Sequence, residues 1–79
     1  MVAQIDKESF AAARRASGLS QDNAASICGV SRPTYALREG NPAEFRLGDL
    51  AVLYRAMNKP GRKLLREGIM SLFLPEELR

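Results

Sequence analysis

The sequence contains no histidine and no tryptophan, and Cys28 is its single cysteine among 79 residues. One cysteine cannot form an internal disulfide, and without histidine neither a zinc site nor a histidine-based catalytic triad can be assembled. We therefore expect a protein that is not an enzyme and has no metal and no cofactor. Two interpretations of Cys28 stay open: a reactive thiol, or a small apolar residue at a helix end, as free cysteine usually is.

Long apolar runs are also missing. No stretch approaches the roughly 20 residues needed to cross a bilayer, and the start of the chain lacks the charged-then-apolar order of a signal peptide. We expect no membrane contact and a cytoplasmic location. Hydrophobic residues make up 46% and charged residues 27%, which is typical of one small globular domain. The formal charge of +3 is compatible with an anionic partner but identifies none.

The most informative stretch is residues 19–41, LSQDNAASICGVSRPTYALREGN. Ser20 is a polar N-cap before a short helical segment, and Ser31 is a second N-cap only two residues after Gly29. Gly29 can adopt the positive φ of a tight turn, and Pro33 falls in a first helical turn, where its missing N–H costs little. Two short helices joined by a glycine turn are the pattern of a helix-turn-helix.

Apolar spacing predicts further helices on both sides, so the expected fold is all-α, a compact bundle of four to five helices. The first begins near residues 5–7 with Asp6 as its cap and runs to about residue 17; another covers about 47–57. Phe45 is expected to pack under the third and fourth helices. The other positions expected in the core include Phe10, Ala13, Ala16, Leu47, Leu50, Leu53 or Tyr54, and Met57.

The last segment starts basic and becomes apolar. Its basic residues either solvate an outer helix face, which we favour, or contact DNA; they are Lys59, Arg62, Lys63 and Arg66. Gly68 is expected to weaken the helix by about 1 kcal/mol relative to alanine. The apolar cluster has two open roles, a homodimer interface, which we favour because exposed apolar patches mark interfaces, or closure of the core. The candidate interface residues are Ile69, Leu72 and Phe73.

Residues 10–57 resemble the DNA-binding domain of the phage-repressor and Cro family of bacterial regulators, also called the xenobiotic-response-element family. The resemblance rests on Arg14, Gly18-Leu19-Ser20-Gln21, Ala24-Ala25, Gly29-Val30-Ser31-Arg32, Thr34 and Glu39. An Arg-Pro-Thr-Tyr segment and a later Pro-x-x-Phe-x-Leu make the chain most similar to small prophage-type members. The resemblance implies a lambda-repressor-like bundle, with a helix-turn-helix DNA-binding domain over residues 1–58 and a dimerising or core-closing segment over 59–79. It also implies an ion pair between Arg14 and Glu39.

The resemblance also implies sequence-specific binding of double-stranded DNA by a small transcriptional regulator, a repressor by family habit and a homodimer. Its recognition helix would be residues 31–39, in the major groove. Arg32 can donate two hydrogen bonds to guanine, while Pro33 and Leu37 can supply apolar contact to bases. The candidates for DNA phosphate contact are Gln21, Ser31, Thr34, Tyr35, Arg38 and Arg46. For Tyr35 it stays open whether the ring is buried and only its hydroxyl meets the DNA.

A different class of function fits the same sequence. The chain would then be a protein-interaction module, such as an antitoxin or an adaptor, that keeps the helix-turn-helix fold and binds a partner through its C-terminal apolar surface. Affinity for DNA falls steeply with salt, so salt dependence separates the two. No effector domain is evident after the bundle, and we expect no small-molecule effector.

Overall fold

The computed structural model describes residues 7–74, and no strand occurs among them. The predicted all-α bundle is confirmed; Asp6, the predicted cap of the first helix, lies outside the described residues. No helix in the described part is both long and apolar enough to cross a membrane. A 3-10 turn (Pro42–Glu44) lies between the third and fourth of five helices: α1 (Lys7–Ala16), α2 (Gln21–Cys28), α3 (Arg32–Gly40), α4 (Leu47–Ala56) and α5 (Lys59–Phe73).

Polar caps set the ends of these helices. The Ser20 hydroxyl accepts a hydrogen bond from the Asn23 backbone N–H at 3.0 Å, and the Asn23 side chain accepts one from the Ser20 N–H at 3.0 Å. Asn58 caps α5 by accepting from the Gly61 N–H at 2.9 Å, and its amide also donates to the carbonyl of Ala16 at 2.8 Å. The same cap therefore starts α5 and ties it to the end of α1.

Three aromatic rings lie at the centre of the bundle. Phe45 stacks on Phe10 with 5.5 Å between ring centres and meets Tyr35 edge-on at 5.8 Å. Phe45 therefore packs against α3, as the sequence predicted, and also against α1. The buried residues of the core are Phe10, Ala13, Ala24, Ala25, Tyr35, Leu50, Leu53, Met57 and Leu65.

Two positions predicted to be buried are exposed. Leu47 is 83% exposed, because it is the first residue of α4, one turn before the first core contact at Leu50, and no element of residues 7–74 covers it. Ala16 is also exposed. Successive steps of three residues rotate by about 60° away from a helix face, so Ala16 has left the buried face that Phe10 and Ala13 share.

The C-terminal apolar residues divide between the two roles that the sequence left open. Ile69 and Leu72 are half-buried and pack against the core, so they close the bundle. Phe73 is 72% exposed and Met70 is 46% exposed. Of the three candidate interface residues, Phe73 is exposed and Ile69 and Leu72 are half-buried, so the homodimer interface stays a prediction.

Gly68 has a packing role that the sequence did not reveal. It is buried where α5 crosses α1, and a Cβ built on it would lie 2.6 Å from the ring of Phe10. Such a contact is shorter than packed carbon atoms tolerate. The glycine therefore does more than weaken its helix, because only its lack of a side chain lets the Phe10 ring lie against α5.

Replacing Gly68 by alanine should destabilise the protein although alanine is the better helix former. Alanine gains about 1 kcal/mol of helix propensity, whereas overpacking a core costs about 1–3 kcal/mol, so we expect a melting temperature lower by several degrees. Gly48→Ala is the matched control, since a Cβ at Gly48 in α4 meets nothing within 4 Å. Thermal unfolding followed by circular dichroism should show that G48A is not destabilised; equal behaviour of both variants would contradict the packing role.

Candidate nucleic-acid interface

A three-residue turn joins α2 to α3. Gly29 has φ of 70°, and the Val30 N–H donates to the carbonyl of Ala25 at 3.0 Å, which closes the end of α2. Glycine reaches this left-handed conformation without strain. Ala24 and Ala25 are fully buried, and their small side chains let α3 approach α2 closely. Ser31 then caps α3, its hydroxyl accepting from the Thr34 N–H at 3.3 Å.

The two sides of α3 differ sharply. Tyr35 and Glu39, one turn apart, are buried at 1% and 8% exposure. Arg32, Pro33 and Leu37 are exposed, Leu37 at 75%. The structure thus brings the three predicted base-contact residues to one outward side of α3. The nearest charge to Arg32 is Asp22 on α2, with 3.8 Å from Nε to Oδ1 and both side chains more than 60% exposed, and such a pair contributes under about 1 kcal/mol.

Glu39 anchors α3 to the rest of the bundle. Arg14 donates from Nε and Nη2 to the two carboxylate oxygens of Glu39 at 2.9 and 3.1 Å, and both side chains are about nine-tenths buried. The third Arg14 nitrogen donates to the carbonyl of Leu19 at 3.0 Å. Gln21 reaches the same carboxylate from Nε2 at 3.5 Å. The pair therefore connects α1, the start of α2 and the end of α3.

The charges of this pair are reflected in its pKa values. Burial by itself would raise the pKa of Glu39, but the hydrogen bonds from Arg14 and Tyr35 outweigh it and hold that pKa below its ordinary value. The hydrogen bond to Glu39 raises the pKa of Arg14 despite its burial. Both groups are therefore ionised at neutral pH.

The structure corrects the predicted phosphate contact of Tyr35. At 1% exposure the side chain presents no atom to solvent, and its hydroxyl faces the Glu39 carboxylate. Burial, followed by the neighbouring carboxylate, raises the pKa of Tyr35 far above its ordinary value, so the hydroxyl stays protonated. Tyr35 is thus a core residue with its polar atom at the ion pair, which is the usual arrangement of a buried tyrosine.

A buried carboxylate at Asp49 holds two further phosphate candidates. Arg38 Nη1 donates to Asp49 at 3.0 Å, and the backbone N–H of Arg46 donates to it at 3.1 Å. The Arg46 guanidinium approaches Asp49 at 3.4 Å but stays 63% exposed, whereas the Arg38 side chain is 19% exposed. Arg38 therefore joins α3 to α4 instead of facing solvent freely. The sequence did not single out Asp49 for this role, although an acid three residues after the N-cap is a capping signal.

The remaining phosphate candidates are near the starts of α2 and α3. Gln21 is half-buried and directed at Glu39, and Ser31 is exposed and donates from its hydroxyl to that of Thr34 at 3.0 Å. Cys28, at the end of α2, is half-buried and packs against the core. Burial, then the charge of Asp49, raises the pKa of its thiol, so the thiolate is disfavoured and the thiol packs as an apolar group.

Exposed cationic and apolar side chains therefore lie on the outward side of α3 and at the start of α4. No group of three or more histidine, cysteine, aspartate or glutamate residues that could hold a metal ion occurs in the described part. Comparison of the chain with models of known protein families, with curated proteins and with solved structures finds no match. What this surface binds has to be inferred from its own residues.

Replacing Glu39 by alanine should lower the free energy of unfolding by about 3–5 kcal/mol, because it leaves the buried Arg14 charge without its partner. Glu44→Ala, which removes an exposed carboxylate from the 3-10 turn, is the control and should change stability by less than about 0.5 kcal/mol. Urea unfolding at pH 7 measures both. An E39A effect as small as that of E44A would show that the pair contributes little.

The same ion pair predicts a pH dependence. Because the pKa of Glu39 is lowered in the folded protein, its stabilisation is complete above the ordinary value of 4.5 and is lost as the pH falls through the folded-state pKa. The stability difference between the wild type and Glu39→Gln should therefore be largest at neutral pH and shrink below about pH 4.5. A difference that stays constant between neutral and acidic pH would contradict this.

Proposed function

We propose that this chain is a small transcriptional regulator that binds double-stranded DNA sequence-specifically, with α3 in the major groove. The observation that carries the proposal is the side of α3 formed by Arg32, Pro33 and Leu37, exposed opposite a side that Tyr35 and Glu39 fix to the bundle. An α-helix with its side chains is about 10–12 Å across, which matches a major groove about 12 Å wide.

Arg32 is the proposed reader of a base. Its contact with Asp22 is long and exposed at 3.8 Å, so exchanging it for the O6 and N7 of guanine loses little and gains roughly 1–3 kcal/mol of discrimination. Pro33 and Leu37 have no side-chain donor and would contact apolar groups such as the thymine methyl. Few bases would be read by hydrogen bonds.

The proposed phosphate contacts surround this reader. Gln21, Ser31 and Thr34 are near helix starts, where free N–H groups and the helix dipole favour anions. Arg46 is exposed and is the cationic member of this group. Arg38 would act through Asp49, by fixing α3 against the start of α4. Phosphate contacts of this kind orient a protein on the duplex without reading its sequence.

A single short helix contacts few base pairs, so strong discrimination calls for two copies on half-sites about one helical turn apart. We propose a homodimer through the exposed end of α5, where Phe73 and Met70 are 72% and 46% exposed. Solvent-exposed aromatic and methionine side chains are enriched at protein interfaces.

We further infer membership of the phage-repressor and Cro family, as a bacterial, cytoplasmic, prophage-type repressor. What supports it is that the residues of the resemblance also have structural roles. Ser20 and Ser31 cap their helices, Gly29 forms the left-handed turn, and Arg14 pairs with Glu39.

The second candidate function is the protein-interaction module, such as an antitoxin or an adaptor. The observation that favours it is exposed apolar surface at Leu37, Leu47 and Phe73, which are 75%, 83% and 72% exposed. A protein partner would cover these side chains, and its affinity would depend weakly on salt, in contrast to DNA.

Selection on randomised duplex DNA at two salt concentrations should enrich a two-fold symmetric site with half-sites about one helical turn apart. Arg32→Ala should relax the preference at one base pair in each half-site, because it removes the proposed donor to guanine. Arg15→Ala, which removes an exposed cation from α1, is the control and should leave the preference intact. No enrichment would refute the DNA-binding proposal, and an unchanged preference in R32A would refute its reader.

Glutamate at both Phe73 and Met70 should turn dimers into monomers in light scattering, because carboxylates without a cationic partner would have to be buried in the interface. Glutamate at Leu47, an exposed leucine at the start of α4, is the control and should keep the dimer. Persistent dimers of the Phe73 and Met70 variant would place the interface elsewhere.

A further inference from the structure

The charges of the chain are divided unevenly along its length. Residues 8–54 contain five cationic and five anionic side chains, whereas residues 55–67 contain five cationic side chains and one carboxylate, that of Glu67. The positive charge of the protein therefore comes from the end of α4 and the first part of α5.

The cations of these two parts also differ in their partners. Among the described residues every ion pair uses an arginine from the first part: Arg14 with Glu39, Arg32 with Asp22, and Arg38 and Arg46 with Asp49. In the same described range, five cations of the second part have no carboxylate within 4 Å: Arg55, Lys59, Arg62, Lys63 and Arg66. The charge of this second group is therefore not neutralised within the described fold.

Four of these cations line one side of α5, which we call the basic stripe: Lys59, Arg62, Lys63 and Arg66. Spacings of three and four residues place side chains on the same side of a helix. The opposite side of α5, with Gly61, Leu65 and Gly68, is buried in the bundle. The two lysines and Arg66 are exposed and Arg62 is half-buried, so the stripe faces solvent along about two turns.

Tyr54 on α4 holds both arginines of the stripe in place. Arg62 Nε donates to the Tyr54 carbonyl at 2.8 Å, and its guanidinium lies 5.2 Å from the centre of the Tyr54 ring. Arg66 Nη1 donates to the Tyr54 hydroxyl at 2.7 Å. Each guanidinium keeps further N–H donors for a ligand, and fixing the side chains in advance lowers the entropy lost on binding.

We propose that the basic stripe is a second nucleic-acid surface, which binds the phosphates of a duplex without reading its bases. From Lys59 to Arg66 the stripe is about 10 Å long at 1.5 Å per residue. One DNA strand has a phosphate about every 3.4 Å along the axis, so the stripe spans about three phosphates.

The composition of the stripe favours nucleic acid over an acidic protein. Protein interfaces are depleted of lysine and have little charge at their centres, whereas interfaces with DNA are polar and strongly positive. Lys59 and Lys63 alternate with the arginines along the solvent-facing side of α5. The stripe lies on α5, which packs mainly on α1, whereas α3 packs mainly on α2, so it is separate from the outward side of α3.

The test is the salt dependence of affinity for a duplex of random sequence, measured by fluorescence anisotropy. The variant Lys59→Gln, Lys63→Gln, Arg66→Gln keeps Arg62, whose hydrogen bond closes the end of α4. If three phosphate contacts are lost, the slope of log affinity against log salt becomes shallower by about 2–3. The double variant K59Q/K63Q changes two exposed side chains and should make the slope shallower by about 2. This variant keeps the test valid if R66Q impairs folding.

Two controls isolate the stripe. K59R/K63R keeps the charge and should keep the slope. Arg15→Gln removes one exposed cation outside the stripe and should change the slope less than the single variant Lys63→Gln, which removes one exposed cation within it. An unchanged slope in the double and triple variants would overturn the proposal. So would binding of polyglutamate that requires the stripe while DNA binding does not, because the partner would then be an acidic protein. A duplex of random sequence contains no specific site for α3. The salt slope therefore tests the stripe even if the proposal that α3 reads bases fails.

Discussion

The bidentate pair between Arg14 and Glu39 is the interaction on which the orientation of α3 depends. Two apolar residues of equal volume would stabilise the helix packing about as well, because the desolvation of two buried charges offsets much of their mutual attraction. A bidentate pair adds a geometric condition, since two nitrogens must meet two oxygens in one plane. That condition fixes how α3 is rotated about its axis, and with it which side chains face outward.

Small residues, in addition to the ion pair, determine how closely the helices pack. Ala24 and Ala25 bring α2 against α3, and Gly68 lets α5 approach the ring of Phe10. A chain of 79 residues has little apolar surface to bury, so close approach of its helices matters more than large side chains. Three rings then fill the remaining centre, with Phe45 supplied by the segment between α3 and α4.

Local signals predicted local structure well. The caps at Ser20 and Ser31 and the turn at Gly29 act within a few residues, so the sequence located the starts of α2 and α3. The outward position of Arg32, Pro33 and Leu37 agrees with the recognition helix that the resemblance implied. Features that depend on a distant neighbour were missed: Leu47 has no covering element within residues 7–74, Gly68 meets Phe10, and the hydroxyl of Tyr35 faces Glu39.

In the candidate site too, the sequence did not reveal features that depend on residues distant along the chain. Arg38 and Arg46 looked alike in sequence as phosphate candidates, and the difference between them is set by Asp49. A buried carboxylate on a later helix is not visible from the spacing of two arginines. The sequence showed that the residues of the basic stripe are charged. That they lie away from carboxylates, and that Tyr54 holds Arg62 and Arg66 in place, is visible only in the three-dimensional structure.

The division of charge bears on how the two proposed surfaces would cooperate. Arg46 and Arg55 are at opposite ends of α4, about 13 Å apart along its axis at 1.5 Å per residue, which exceeds the Debye length of about 8 Å at physiological salt. Arg55 therefore does little to attract phosphates to the start of α4. Since the cations of residues 8–54 are matched by acids, the outward side of α3 would contribute selectivity with little general attraction. The stripe would supply that attraction, and each surface could be changed without abolishing the other.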